Sequence, residues 1–211
     1  MQVLKDEIRN KIRLAALKEF KKEGYTKTSM QKIAVTAGVA IGNIYRYYKN
    51  KDELFDELVQ PVYERYEANM AEMRHKLNLS YVKDTHDVMK HFSNIEATLI
   101  ELFKTFTAEM SIIFIRSEGT KYSHVKTDLI ELAFSVVESM ILKARRSETL
   151  TEYEAAVAKM FSSSLIEGMC LILRDSEEGD SFNKLMDQLL GMYSNGLHSI
   201  IKNMESEYGE R

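Results

Sequence analysis

The stretch MQKIAVTAGVAIGNIYRYYKNKDELF, residues 30–55, places polar side chains on one face of a predicted short helix. Asn43, Arg46 and Tyr47 share the outer face, because residues three and four apart are neighbours on a helix surface. Amide and guanidinium groups can hydrogen-bond the edges of bases in the major groove of DNA. The pattern therefore indicates a face that reads nucleic acid. An ordinary solvated helix face is the alternative for Asn43 and Arg46.

The inner face of the same predicted helix carries apolar groups. Ile44 and Tyr48 are four residues apart and are expected to turn toward a core. At the start of the helix, Gly42 lets the backbone sit close to a groove, and Ile41 is able to contact a thymine methyl group. A buried anchor beneath a polar outer face is what a base-reading helix requires.

Charge is distributed unevenly along the chain. Residues 1–50 contain 11 Lys or Arg against 4 Asp or Glu, a net of +7, in a chain whose overall formal charge is −3. Residues 51–211 hold the other 18 cations and 28 anions, a net of −10. Such segregation is typical of a phosphate-binding module attached to a part that avoids phosphate. Chance clustering of surface charge is the alternative interpretation.

Composition and cysteine use exclude several classes of protein. Hydrophobic residues make up 45% and charged residues 29% of the chain, as in globular proteins rather than disordered or fibrous ones. Cys170 is the single cysteine, and the start MQVLKDEIRNKI has no apolar signal segment, so a cytoplasmic location is predicted. No run reaches the roughly 18 apolar residues that a membrane-spanning helix needs.

The elements that must position the polar face are predicted to be helices throughout. One proline and nine glycines, without the alternation typical of strands, indicate an all-α fold. Thr28 and Ser29 offer a cap to a second helix, and Gly38 supplies the positive φ of a tight turn into the third. Two short helices joined by such a turn and braced by a longer one match the helix-turn-helix pattern.

About nine helices are predicted in total, at residues 4–23, 30–37, 40–48, 50–77, 84–106, 107–117, 122–140, 151–174 and 182–204. Asn50 and Glu53 resemble a capping box that opens the fourth helix. Pro61 lies inside the apolar stripe of that helix and is expected to kink it, because an interior proline removes a backbone hydrogen bond. The alternative is that Pro61 lies in the first turn of a new helix.

The run GYTKTSMQKIAVTAGVAIGNIYRYYKNKDEL resembles the tetracycline-repressor (TetR/AcrR) family of bacterial transcriptional regulators. The resemblance lies in residues 5–60, with Gly-Tyr, Thr-Ser, Ile-Ala, Ala-Gly-Val and Lys-Asn-Lys-Asp-Glu-Leu at the spacing of the family. It implies a three-helix DNA-binding domain at 1–50 and a larger helical domain for effector binding and dimerisation at 51–211. The implied function is that of a repressor released from a palindromic operator by a small effector.

The resemblance also assigns DNA contacts. It gives Lys51 the role of clamping the DNA backbone, with Thr28 and Tyr45 as further phosphate partners. A lysine in the first turn of a helix opposes the helix dipole by about 0.3–1 kcal/mol, so binding phosphate would explain it better than an ordinary surface position. The predicted DNA-binding set is Thr28, Ser29, Gln31, Ile41, Gly42, Asn43, Tyr45, Arg46, Tyr47, Lys49 and Lys51. Ala40 and Ile41 stand where the family has Ser or Thr and often a cation, so two common phosphate contacts are not expected.

The last two predicted helices are apolar on more than one face. Packing against a second copy in a four-helix bundle would cover the excess, so a homodimer is predicted. A thick core within one chain is the alternative. The predicted dimer residues are Phe161, Leu165, Met169, Leu189, Tyr193, Leu197 and Ile200, and Gly191 and Gly196 are expected to allow close helix approach.

Aromatic and methionine side chains are frequent between residues 63 and 140. Most of them must be core, yet ligand sites between helices are also largely apolar, and methionine adapts to varied ligands. A small apolar or amphipathic effector is therefore predicted. The candidate pocket residues are Tyr63, Tyr66, Met70, Phe92, Phe103, Phe106, Met110, Phe114 and Phe134.

An enzyme is not predicted, because no Gly-rich phosphate loop, nucleophile elbow or metal-ligand spacing is found. His86 and His91 are five residues apart and do not share a helix face, so no metal or cofactor is predicted. A helical adaptor that binds another protein would not need residues 1–50 for its partner, which separates it from a DNA-binding protein.

Overall fold

The structure is a computed structural model that describes residues 2–78, 97, 100–176 and 179–209. Within these ranges every regular element is a helix, so the all-α prediction is confirmed. The helices are α1 (Gln2–Lys27), α2 (Met30–Ala37), α3 (Ile41–Tyr45), α4 (Lys51–Asn78), α5 (Thr107–Ile115), α6 (Val125–Arg145), α7 (Glu152–Asp175) and α8 (Asp180–Gly209). Residues 100–105 are also helical, whereas most of the predicted helix at 84–106, including Phe92, lies outside the described residues.

The chain divides into two compact units. The first takes residues up to 65 together with 106–125, and the second takes the described parts of 66–105 and 126–211. α4 contributes residues to both units. The functional boundary predicted at residue 50 stays a prediction.

α1 is the brace of the first unit. Its apolar face buries Ile12, Ala16 and Phe20 completely, and it contacts both α2 and α5. Near its end the helix is interrupted at Gly24, whose φ of 80° is a conformation that side chains with a Cβ rarely adopt. The direction of the chain therefore changes just before α2 begins.

The segment that follows α5 contacts both α1 and α4 within the first unit. The Tyr25 N–H donates to the Arg116 carbonyl oxygen at 2.8 Å. Further along, the Tyr122 hydroxyl lies 3.0 Å from Asp56 Oδ1 and 2.6 Å from Gln60 Oε1, both on α4. These contacts tie residues distant in sequence into the unit that holds α2 and α3.

The start of α4 is capped much as predicted. The Glu53 N–H donates to Asn50 Oδ1 at 2.8 Å, and the Glu53 carboxylate accepts the Lys49 N–H at 2.7 Å. The helix then runs without interruption from Lys51 to Asn78, with Pro61 in its interior. A new helix beginning at Pro61 is therefore not observed.

α6, α7 and α8 supply the core of the second unit. The buried cluster comprises Val136, Val137, Met140, Ile141, Ala144, Ala158, Phe161, Leu197 and Ile201. Cys170 on α7 is buried, and burial raises the pKa of its thiol to about 11. That thiol is therefore protonated and chemically quiet at neutral pH.

The beginning of α7 carries a capping box that is locked by an ion pair. Thr151 accepts the Glu154 N–H through its side chain, while the Glu154 carboxylate accepts the Thr151 N–H at 2.8 Å. The same carboxylate pairs with the Arg145 guanidinium at the end of α6. Burial by itself would raise the pKa of Glu154, but the hydrogen bonds from Thr151 and Arg145 outweigh it and hold that pKa below the ordinary 4.5.

We expect Glu154→Gln to lower the free energy of unfolding by about 2 kcal/mol at neutral pH, because Arg145 loses its buried partner. A carboxyl whose pKa is lowered by folding stabilises the protein above its unfolded pKa, and that stabilisation is lost as pH falls through the folded value. The difference between wild type and variant should therefore shrink below about pH 4.5. Urea unfolding across this pH range measures it.

Glu152→Gln is the matched control, because Glu152 lies in the same first turn but is exposed. Its effect should stay below about 1 kcal/mol. An equal loss for Glu154→Gln at neutral and acid pH would contradict the ion-pair argument.

Close approach of α7 and α8 depends on Gly168 rather than on the two glycines predicted for it. A Cβ at Gly168 would lie 3.0 Å from Leu189 Cδ1, tighter than ordinary van der Waals contact. A Cβ at Gly191 would meet nothing within 4 Å, and one at Gly196 would make only ordinary contact at 3.9 Å. Within this chain, Gly191 and Gly196 do not provide a close approach, and their predicted role in helix packing between two copies stays a prediction.

α7 is also long and apolar enough on average to cross a membrane, although its sequence has no uninterrupted apolar run. Half of its most apolar 18-residue window is buried inside the chain. Core helices pass the same test, so the observation is weak evidence for a membrane span.

Candidate nucleic-acid interface

The turn between α2 and α3 is fixed by its backbone. Gly38 has φ 66° and ψ 32°, and its N–H donates to the Val35 carbonyl while the Val39 N–H donates to that of Ala34, both at 3.1 Å. This pair of bonds is a Schellman motif, which needs a left-handed residue. At the other end, the Ser29 side chain caps α2. The predicted cap and the predicted positive φ are both confirmed.

The inner face of α3 is pinned to α1 and α4. Ile44 and Tyr48 are buried, as predicted, and the Tyr48 hydroxyl donates to Glu57 Oε1 at 2.9 Å. Glu57 also pairs with Arg9 at 2.5 Å and Arg13 at 3.3 Å. Burial would raise the pKa of Glu57, but the hydrogen bonds from Arg9 and Tyr48 lower it overall. The carboxylate stays ionised and holds three elements together.

The outer face presents most of the predicted contact residues to solvent. Exposed members of the set are Ser29, Gln31, Gly42, Tyr45, Arg46 and Lys49, and half-buried members are Ile41, Asn43, Tyr47 and Lys51. α3 itself ends at Tyr45, shorter than predicted, so Arg46 and Tyr47 lie in the following turn. Tyr47 turns back and donates its hydroxyl to the Lys5 carbonyl at 3.2 Å. Within α3 and the turn after it, the exposed polar side chains of the predicted set are therefore those of Tyr45, Arg46 and Lys49.

Thr28 has a different position from its neighbours in the predicted set. Its side chain is only 2% exposed, and its hydroxyl donates to the Glu19 carbonyl on α1 at 3.2 Å. The role of Thr28 as a phosphate partner stays a prediction. In this structure its hydroxyl joins the end of α1 to the body of the same helix.

Lys51 also turns inward. Its ammonium donates to the carbonyl oxygens of Tyr25 at 2.7 Å and Thr28 at 3.0 Å, and it lies 4.0 Å from the centroid of the Tyr25 ring. The Tyr25 hydroxyl donates to the carboxylate of Asp52, the next residue along α4. Sequence reasoning missed Tyr25 and Asp52. Their only signal was an aromatic residue and an acid inside the motif, without any indication that they meet.

The candidate effector residues are divided between the two units. Tyr63, Phe106, Met110 and Phe114 belong to the first unit, and Tyr66, Met70, Phe103 and Phe134 belong to the second. Tyr66, Met70, Phe103, Met110 and Phe114 are buried, whereas Tyr63, Phe106 and Phe134 are half-buried. Their predicted role in a pocket stays a prediction.

Phe134 lines an open groove of about 410 Å³ between α6 and α7. The groove walls are Ile130, Glu131, Phe134, Ser135, Lys159, Ser162 and Ser163. Its size falls within the range of small-molecule sites, and its walls are mainly apolar. The groove lies wholly within the second unit.

The predicted dimer residues lie mostly inside the chain. Phe161, Leu165, Met169 and Leu197 are buried, and Leu189, Tyr193 and Ile200 are half-buried. Phe161 and Tyr193 pack edge to face against each other, with ring centroids 4.9 Å apart. Much of the predicted set therefore joins α7 to α8 of the same chain.

α7 and α8 have a second apolar face, as the sequence indicated, but its exposed residues are not those of the predicted dimer set. Its exposed members are Tyr153, Met160 and Leu171 on α7 and Leu185 and Met192 on α8. Residues 153, 160 and 171 are seven and eleven apart, so they share one side of α7, and 185 and 192 share one side of α8. We call this set the outer apolar face.

A helix-turn-helix whose second helix is buried on its inner side and exposed on its outer side is typical of DNA-binding domains. Residues 12–58 match the family model described as bacterial regulatory proteins, tetR family. The resemblance to the TetR family found in the sequence is therefore confirmed for this amino-terminal part of the chain.

Curated relatives match over part of their length. The chain is 32% identical over 114 residues to the HTH-type transcriptional regulator AcrR of Shigella flexneri, covering 53% of this chain and 50% of the relative. It is 38% identical over 84 residues to the fatty acid metabolism regulator protein of Bacillus subtilis, covering 37% and 41%. The chain thus spans about half or less of these relatives.

The fold matches solved structures over most of the chain. A putative fatty acid metabolism regulator of Clostridium perfringens has a TM-score of 0.51 at 19% identity, covering 88% of this chain and 97% of that one. At that identity the match shows the shared fold alone.

Proposed function

We propose that this chain is a homodimeric repressor whose two α3 helices enter successive major grooves of a palindromic operator, and that a small apolar or amphipathic effector releases it. The observation that carries the proposal is the open face of Tyr45, Arg46 and Lys49 above the buried anchor of Ile44 and Tyr48. Because α3 is already fixed by its buried side, binding through the exposed polar side chains costs the protein little conformational freedom.

Charge supports the DNA partner. The first 50 residues carry a net of +7 in a chain of −3 overall, so a polyanion is attracted to this end of the sequence. In the proposed complex Arg46 and Asn43 contact bases, Ile41 and Gly42 lie against the groove, and Lys49 binds phosphate. The remaining assignments in the predicted contact set belong to the same proposal, apart from that of Lys51, whose side chain turns inward.

Burial supports a dimer through α7 and α8. Met160 is 63% exposed and Met192 70% exposed, which is unusual for large apolar side chains on neighbouring helices. A second copy related by a two-fold axis would cover the outer apolar face in a four-helix bundle. The half-buried Leu189, Tyr193 and Ile200 of the predicted set would border that interface.

Apolar character supports the effector class. The second unit buries Tyr66, Met70 and Phe103, and its open groove is lined mainly by apolar surface. One curated relative is named a regulator of fatty acid metabolism, which is consistent with a ligand that carries an acyl chain. The effector must bind the two states of the repressor unequally in order to release DNA. A cytoplasmic location, where operator DNA lies, belongs to the same proposal.

The test is selection of duplexes from a randomised pool by the purified full chain in low salt. We expect recovered duplexes to carry inverted half-sites whose centres are about 10 base pairs, or 34–36 Å, apart. Affinity for them should fall roughly 10³-fold or more between about 50 and 200 mM salt if six or more phosphates are contacted. Recovery no better than a protein-free control would refute DNA binding. Recovery of single, unpaired half-sites would refute the dimer model.

A further inference from the structure

Lys51 joins the first turn of α4 to the end of α1. Its ammonium donates to the Tyr25 and Thr28 carbonyl oxygens, at 2.7 and 3.0 Å. The last carbonyl groups of a helix lack partners within that helix, and a lysine near them is favourable. The same lysine is unfavourable at the start of α4, where the helix dipole is positive. The contact with α1 therefore gives Lys51 a reason to occupy this position that does not involve phosphate.

The surroundings of the ammonium reinforce this role. Burial lowers the pKa of Lys51, an effect that the neighbouring Asp52 opposes. The Tyr25 ring covers one side of the ammonium at 4.0 Å, and the Tyr25 hydroxyl is held by Asp52. Burial and that hydrogen bond raise the pKa of Tyr25 to about 12, so the hydroxyl remains a donor at neutral pH. Lys51, Tyr25 and Asp52 thus form one closed contact, which we call the α1–α4 clamp.

An ammonium has three N–H donors, and two of those on Lys51 already have backbone acceptors. Swinging out to a phosphate would leave the carbonyls of Tyr25 and Thr28 without that cation. Thr28 is followed at once by Ser29, which caps α2. The backbone that Lys51 holds is therefore the connection that sets where α2 begins.

We propose that Lys51 is a positioning residue for DNA binding, which orients α2 and α3 through the backbone of residues 25–28, rather than a direct clamp on the DNA phosphate. The inference rests on the proposed DNA-binding function. The proposal explains why the Lys51 side chain turns inward although Lys49, two residues earlier, is exposed.

The test compares Lys51→Met, Lys51→Arg and Lys49→Met with wild type, each shown to be folded at low temperature by circular dichroism. The probe is a duplex that the wild-type chain recovers from a randomised pool, titrated at several salt concentrations. Lys51→Met should bind about tenfold more weakly, because charged hydrogen bonds that hold α2 are lost. Its slope of log affinity against log salt should equal that of wild type. Lys51→Arg, which can donate to the same carbonyls, should recover most of the affinity.

Lys49→Met is the matched control for a phosphate contact. Losing one such contact in each protomer should make the salt slope shallower by about two. A comparable change of slope for Lys51→Met, or wild-type affinity for Lys51→Met, would overturn the proposal. A change in melting temperature without a change in affinity of the folded protein would overturn it as well. Should Lys51→Met not fold, Lys51→Gln takes its place with the same outcomes.

Failure of the proposed function has a separate readout. If the wild-type protein retains no duplex, the proposed DNA binding is refuted. The α1–α4 clamp can then still be tested by measuring the rate of amide hydrogen exchange in α2. Faster exchange in α2 of Lys51→Met than of wild type would support the clamp. Unchanged exchange there would overturn it.

Discussion

Replacing Met192 by glutamate is expected to leave a folded monomer and to weaken operator binding at least 100-fold. Met192 is 70% exposed on α8 and belongs to the outer apolar face, which a second copy covers in the proposed dimer. Two-fold symmetry places two new carboxylates in that interface, and an unpaired buried charge costs several kcal/mol. Light scattering during size-exclusion chromatography measures the mass, and a gel-shift titration measures the affinity.

His198→Glu is the control for this change. His198 is also exposed on α8 but is turned about 120° away from Met192 around the helix. The substitution adds a carboxylate outside the outer apolar face, so the protein should remain a dimer. A dimer of unchanged mass for Met192→Glu would refute the proposed interface, whatever happens to DNA binding.

Arg46→Ala is expected to weaken binding to a selected operator by about 100-fold and to bring it close to the affinity for a scrambled duplex. Arg46 is exposed just beyond α3, and the anchor beneath it does not depend on its side chain. A guanidinium that pairs with a guanine edge contributes about 1–3 kcal/mol, and a dimer holds two of them. Titrations against the operator and the scrambled duplex measure both effects.

Arg46→Lys separates base reading from charge. Lysine keeps the positive charge but lacks the planar fork that fits a base edge. If Arg46 reads bases, this variant should keep its affinity for scrambled DNA and lose most of its preference for the operator. Full preference with lysine would refute the proposal that the planar guanidinium of Arg46 provides the specificity.

The cap, the turn and the inner face of the helix-turn-helix could be predicted from the sequence, because each is determined by residues that are close in sequence. Ser29 caps a helix that begins at the next residue, and Gly38 takes the left-handed conformation that its own turn demands. Ile44 is buried on the side of α3 that the helical repeat predicted, and Tyr48 is buried as well although it lies just beyond the end of α3. Each of these features depends on a few consecutive residues.

The inward turn of Lys51 could not be predicted in this way. Its acceptors are the carbonyls of Tyr25 and Thr28, more than twenty residues earlier, and no spacing rule links a lysine to backbone atoms so far away. The sequence did show that Lys51 was unfavourable for its own helix. That local conflict signalled a special role, and the structure supplies a partner for it.

The outer apolar face shows a second limit. α7 is apolar on several sides, and periodicity identified its apolar residues without telling which side the rest of the chain would cover. Phe161 is buried whereas the adjacent Met160 is exposed, because α8 packs on the side of Phe161. Only the placement of α8 decides between them, and that placement is a tertiary property.

The bond from the Tyr25 N–H to the Arg116 carbonyl has a practical consequence for engineering this protein. In a chimera, the amino-terminal helices of one chain could be transplanted alone onto the remainder of a related chain. Such a transplant would bring the donor's α1 against the recipient's equivalent of residues 106–125. In the parent chain those residues belong to the same compact unit as their own α1. Chimeras that carry both pieces from one parent should therefore be soluble and active more often than those that carry the first alone.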